Sequence, residues 1–115
     1  MKVAIVGSRN FNDYDKMCEV LFEEIGPSQD EIISGGANGA DKLAEQFAKE
    51  HDFKFTEFPA NWKGYGKNAG RIRNAEMVAQ ADRVISFWDG VSTGSKHMIE
   101  SSREHGLQVL VIDYP

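Results

Sequence analysis

Three stretches of this chain set glycines among hydroxyl, guanidinium and carboxylate side chains just after a short apolar run. They are Val6 to Phe11 (Val-Gly-Ser-Arg-Asn-Phe), Ile33 to Asp41 (Ile-Ser-Gly-Gly-Ala-Asn-Gly-Ala-Asp) and Trp88 to Ser95 (Trp-Asp-Gly-Val-Ser-Thr-Gly-Ser). Glycine lets the backbone pass close to a bound group and reach positive φ, while the unpaired N–H groups of a following helix point back at that group. Phosphate is the usual occupant of such a junction. Gly35, Gly36 and Gly39, with Ala37 between them, would admit it at one helix start, and Gly94 with Ser95 at another. Arg9 and Arg73 are forked donors that grip phosphate oxygens at two points, and Lys67 adds a point charge. Gly7, Ser8 and Phe11 belong to the first loop, Ser34 to the second and Ser92 to the third, and Asp41 and Asp89 are acceptors suited to ribose hydroxyls. Glycine turns also serve simple chain reversal, and Asn38 followed by Asp41 reads equally as a helix-capping box. Three such turns at three strand ends favour one shared ligand pocket.

Other residues extend that chemistry. Trp62 and Tyr65 stand among Lys63 and Lys67, a mixture that stacks a base and neutralises a phosphate, or that packs a loop against a sheet. Asn74 is placed either to read the ligand or to cap its own helix. His97 falls in the first turn of a helix, where positive charge is disfavoured, so a neutral ring is expected there, as a donor to phosphate or an acceptor of a hydroxyl proton. His51 and His105 sit at helix ends as surface residues. No pair of histidines has ligand spacing and no Cys or carboxylate cluster completes a site, so no metal and no required cofactor is expected. No serine stands in a nucleophile-elbow motif.

The elements that must position these residues follow from apolar patterning. Val3 to Val6, Val84 to Phe87 and Val109 to Ile112 are short β-branched runs that read as buried parallel strands, with Ile32 and Ile33 a shorter one. Phe53 to Phe58 alternates apolar and polar residues and reads as an edge strand. Helical spacing predicts helices over Asp13 to Ile25, from Ala40 through Ala48, from about Gly70 to Ala81, and from about Ser95 to His105 with Gly106 as the stop. Pro59 to Ala69 is expected to be a long connection without secondary structure, the kind that is usually functional. Right-handed crossovers then give an α/β three-layer sandwich: a five-stranded parallel sheet of order 3-2-1-4-5 with helices on both faces, in a single domain over residues 1–115. Its ligand site belongs at the strands' carboxyl ends, where the chain switches direction between the first and fourth strands.

Bulk properties exclude several classes. The formal net charge of -5 and pI near 5.1 argue against a general nucleic-acid binder, which needs a basic face. Between Phe58 and Ala75, however, lie Lys63, Lys67, Arg71 and Arg73 with no carboxylate among them, a local patch suited to a small anion. The single Cys18 shares a helical stripe with Tyr14, Met17, Leu21 and Ile25 and reads as a core thiol in a reducing compartment. Val3 to Val6 is too short for a leader or a membrane span, so a cytoplasmic protein without membrane contact is expected.

Taken in order, these motifs resemble the SLOG superfamily of Rossmann-like proteins, and most closely its small YspA/YpsA-related branch. The resemblance spans nearly the whole chain. It rests on Gly7-Ser8-Arg9 with Phe11, on Ser34 through Asp41, on Trp62, Gly66-Lys67 and Ala69-Gly70, on Ile72-Arg73-Asn74, and on Asp89-Gly90 with Ser92, Gly94 and His97. It implies a Rossmann-like domain that binds nucleotides or nucleotide-derived signals, as sensor or sequestering module, and self-associates as a homodimer or higher homo-oligomer. Related LOG phosphoribohydrolases imply the alternative, N-glycosidic hydrolysis of a nucleoside phosphate, in which Arg73 would hold phosphate and Asp41 or Asp89 would activate water or steady a cationic ribosyl group. The chain lacks the Pro-Gly-Gly motif of those enzymes, and Met98 stands where their glutamate would fall. Related DprA proteins imply a third reading, single-stranded DNA binding, against which the net acidity weighs. A nicotinamide dehydrogenase is disfavoured, because the first turn holds one glycine where a dinucleotide fingerprint places three.

Overall fold

In the computed structural model, which describes residues 1–114, the chain forms five parallel strands in the order β3-β2-β1-β4-β5. The strands are β1 (Lys2–Gly7), β2 (Glu31–Ser34), β3 (Phe55–Glu57), β4 (Arg83–Trp88) and β5 (Gln108–Asp113). The helices are α1 (Tyr14–Glu24), α2 (Ala40–Glu50), the short α3 (Trp62–Tyr65), α4 (Ala69–Gln80) and α5 (Thr93–Glu104). The fold is therefore the expected three-layer sandwich, with the direction of winding reversing between β1 and β4.

The two faces of β1 explain why its whole run is apolar. Val3 and Ile5 enter one core with Met17 and Leu21 of α1 and Ala44, Phe47 and Ala48 of α2, whereas Ala4 and Val6 enter the other with Met77 and Val78 of α4 and Met98 of α5. Alternate side chains of a strand must point to opposite faces, so a strand covered on both sides has no polar position to spare. Truncating Phe47, fully buried between α2 and the sheet, would cost about 3–5 kcal/mol.

Helix ends follow local chemistry. Asp13 caps α1 by accepting from the Lys16 N–H at 3.0 Å, and Gly106, at φ 76°, turns the chain after α5. The start of α2 departs from the expected capping box. Gly39 is its N-cap and provides no side chain, Asn38 lies outside, and Asp41 instead reaches back to accept from the Ala37 N–H at 3.1 Å.

Four further expectations are corrected. The 59–69 connection is not structureless: Asn61 caps α3 by accepting from the Gly64 N–H at 2.9 Å, and a 3-10 turn over Gly66–Asn68 leads directly into α4. Asn74 lies in the body of α4 and caps nothing. β5 is not buried, because as the last strand of the sheet it has one free edge, and Val109 to Ile112 are only half-covered. Cys18 is likewise half-buried at the margin of the α1–α2 core, where burial pushes its thiol up and Tyr14 draws it part-way back. No helix among the described residues is long and apolar enough to cross a membrane.

Candidate functional site

Beyond the carboxyl ends of β1 and β4 opens a cavity of about 590 Å³, within the range of small-molecule sites. The end of β1 and the loop after it contribute Gly7, Ser8 and Arg9, the β2–α2 loop Ala37, the first turn of α2 Asp41, the short helical arm Trp62 and Lys67, α4 Arg73 and Asn74, the β4–α5 loop Asp89 and Ser92, and the start of α5 Gly94, Ser95 and His97. An adjoining hollow of about 300 Å³ takes in Gly35 and Gly36 and shares Arg9, Ala37, Trp62 and Arg73 with the first. Three of the expected residues line neither. Phe11 is a core side chain, 1% exposed, against Phe87 and Tyr114. Ser34 is buried, and its hydroxyl donates to the Ile5 carbonyl at 2.6 Å. Gly39 is required by packing: at φ 78° it sits where any Cβ would overlap the Ser8 and Arg9 carbonyl oxygens.

The structure adds Val6, Asn10, Gly70, Arg71, Met77, Thr93 and Met98 to the wall. Gly70, Arg73, Asn74 and Met77 are spaced i, i+3, i+4 and i+7, so a single stripe of α4 faces the cavity. That spacing was the available signal for Gly70 and Met77.

The two glycine-flanked helix starts differ. Ser92 is the N-cap of α5 but its side chain makes no capping bond; the hydroxyl is turned to Asp89 and donates to Oδ2 at 2.9 Å. The N–H end of α5 therefore lies open at Thr93, Gly94 and Ser95, and nothing stands within 4 Å of where a Gly94 Cβ would be. At α2, by contrast, Ala40 N–H donates to the Ser8 carbonyl at 3.2 Å and Asp41, 4% exposed, occupies the first turn. The expected phosphate cradle over Gly35, Gly36 and Gly39 thus already holds a carboxylate.

Those carboxylates are held in opposite states. Asp89 accepts from the Val91 and Ser92 N–H groups at 2.9 and 2.8 Å, and these bonds draw its pKa down to about 2. It is a loop organiser with its charge fixed. Asp41 is pushed up to about 6 by burial, against the pull of the Ala37 N–H and of Arg73, and its Oδ1 has no hydrogen-bond partner among the described residues.

Arg73 is a cross-brace before it is a clamp. Its Nη1 donates to the Gly35 carbonyl at 2.7 Å and, at 3.4 Å, towards that of Phe58, and its Nε donates to Asn74 Oδ1 at 3.1 Å. Its guanidinium lies against Gly35, where a Cβ would collide with it and crowd Asp41 Oδ2. Of its three nitrogens only Nη2 has no bond to the described residues. Trp62 and Tyr65 remain about half exposed, at 54% and 51%, so they do not bury themselves against the sheet. Trp62 reaches over Gly70, where even a Cβ would only make ordinary van der Waals contact with the ring, at 3.7 Å. Burial, and then the neighbouring Arg71 charge, hold His97 below the usual histidine range.

A doubly wound parallel sheet with a cavity at the switch between β1 and β4 defines the Rossmann-like class of fold, in which the strand ends at the switch are the general place for ligands. Residues 1–65 match the model of the YspA, cpYpsA-related SLOG family, and the chain belongs to that family. It is also 34% identical over 117 aligned positions to the Gene 61 protein of Mycobacterium phage D29, an alignment covering 95% of this chain and 94% of that protein. No solved structure matches it.

Proposed function

We propose that this protein binds a nucleotide or nucleotide-derived small ligand, with its phosphoryl end at the start of α5 and its base near Trp62, and acts as a sensor or sequestering module. The observation that carries the reading is the uncapped N–H end of α5 opening into a cavity shared with Lys67, Arg71 and the exposed Trp62 ring. Helix N-termini favour anions, and an aromatic face favours a base. Family membership supports the same ligand class. Mixing the purified protein with mono-, di-, tri- and cyclic nucleotides, and identifying retained and released species by mass spectrometry, tests it. Retention of intact nucleotide, weakened by Trp62→Ala without a change in Tm, is expected. If none is retained, the reading fails.

One observation favours a second reading, N-glycosidic hydrolysis of a nucleoside phosphate. Asp41 is a buried carboxyl bordering the cavity, with a pKa near 6 and a buried Oδ1 that has no hydrogen-bond partner among the described residues, the condition of a group able to exchange a proton near neutral pH. Asp89, with its pKa near 2 and both oxygens engaged, is unsuited to that work. Release of free base by the wild type and not by Asp41→Asn would establish hydrolysis, and intact nucleotide in both would dismiss it.

A further inference from the structure

Asn74 is 6% exposed, and its amide meets three groups whose roles constrain one another. Arg73 Nε, 3.1 Å from Asn74 Oδ1, can only donate. The Gly94 carbonyl, 3.5 Å from Asn74 Nδ2, can only accept. Both neighbours choose the same orientation of the amide, so the atom 3.2 Å from His97 Nδ1 is the NH₂ nitrogen. An N–H aimed at Nδ1 requires a lone pair there, because a protonated Nδ1 would set donor against donor. A neutral ring with a bare Nδ1 carries its hydrogen on Nε2. Nε2 has no partner among the described residues, and the ring lines the cavity beside the open start of α5.

We propose that Asn74 is a positioning residue that fixes the His97 ring with its proton on Nε2, so that the site offers a hydrogen-bond donor there, and not a base, to a phosphoryl oxygen of the ligand. The phosphoryl assignment rests on the nucleotide reading above; the ring state does not. The groups facing His97 act in both directions: Arg71 opposes a charged ring, while Glu100 and Glu104 on its own helix favour one. The Asn74 contact adds a geometric veto on the Nδ1 proton. In the hydrolytic reading this removes His97 as the proton acceptor and leaves that task to Asp41.

The test is long-range ¹H–¹⁵N correlation of the histidine rings in the ligand-free protein at pH 7, with His97 assigned by its loss in His97→Gln. An Nε2–H pattern in the wild type is expected. Asn74→Asp should reverse it, because a carboxylate can accept from both Arg73 Nε and an Nδ1–H. An Nδ1–H pattern or an imidazolium in the wild type overturns the proposal. With AMP as the probe, His97→Ala should weaken binding about tenfold, whereas His97→Gln, whose amide can present an N–H at a similar reach, should stay within about threefold. Equal losses in the two variants overturn the donor role. Failure of AMP to bind the wild type would count against the nucleotide reading, while the ring spectra decide the positioning role on their own.

Discussion

The first turns of α2 and α5 are near replicas in position and opposites in chemistry. Both follow a glycine-bearing loop at the carboxyl end of a strand, and neither has a side-chain cap. Two residues past the cap, however, α2 carries Asp41 and α5 carries Gly94. At α2 the helix dipole is met from within, by a carboxylate and by the Ser8 carbonyl. At α5 the same partial positive charge is left facing a cavity. A glycine-rich strand-to-helix turn therefore signals an available anion site only when the first helical turn brings no anion of its own.

The contrast can be broken in order of expected effect. Gly39→Ala, which forces a Cβ onto two carbonyl oxygens at positive φ, should cost at least about 3 kcal/mol in chemical denaturation. Next comes Asp41→Asn. The wild-type carboxyl, with a pKa near 6 in the fold and about 3.9 unfolded, holds its proton more tightly when folded, so its ionisation destabilises the protein as pH rises through that window. From pH 4 to pH 7 the wild type should lose about 2–3 kcal/mol relative to Asp41→Asn, read from paired denaturation curves. If the two curves run parallel, Asp41 is not the buried titrating group.

Gly94→Asp copies the α2 arrangement onto α5 and sharpens the comparison. It should leave Tm unchanged or raised, since acidic residues suit a helix start, yet weaken AMP binding roughly thirtyfold, or about 2 kcal/mol. Unaltered affinity would place the anion elsewhere. The smallest effect belongs to Asp89→Ala, which should speed amide exchange at Val91 and Ser92, the N–H groups that the carboxylate holds, with little change elsewhere.

Strand order and the place of the strand-end cavity were legible because alternating burial, crossover handedness and glycine at strand ends are local or general rules. What escaped depends on contacts between distant residues. Arg73 looked like a free phosphate clamp, but its carbonyl partners, Gly35 and Phe58, lie on loops that meet α4 only in three dimensions. Phe11 sits in a ligand-facing motif yet turns into the core, because Phe87 and Tyr114 leave an aromatic slot for it. Val109 to Ile112 reads like Val84 to Phe87, since an apolar run reports β-propensity and not how many neighbours a strand has. The arm over 62–68 has too few residues to show a helical period.

The place of β1 also sets a schedule for making the protein. This strand is synthesised well before β4, yet one of its two ladders is completed only by β4, at Arg83 to Phe87. At cellular elongation rates the ribosome needs roughly 4 to 16 seconds to add the roughly 80 residues between them. Through that interval Val3 to Val6, covered on one side by β2 at best, offers an unpaired apolar edge to any other nascent chain. Synonymous changes that slow translation between the codons for Ser34 and Arg83 should therefore lower soluble yield without altering the finished molecule.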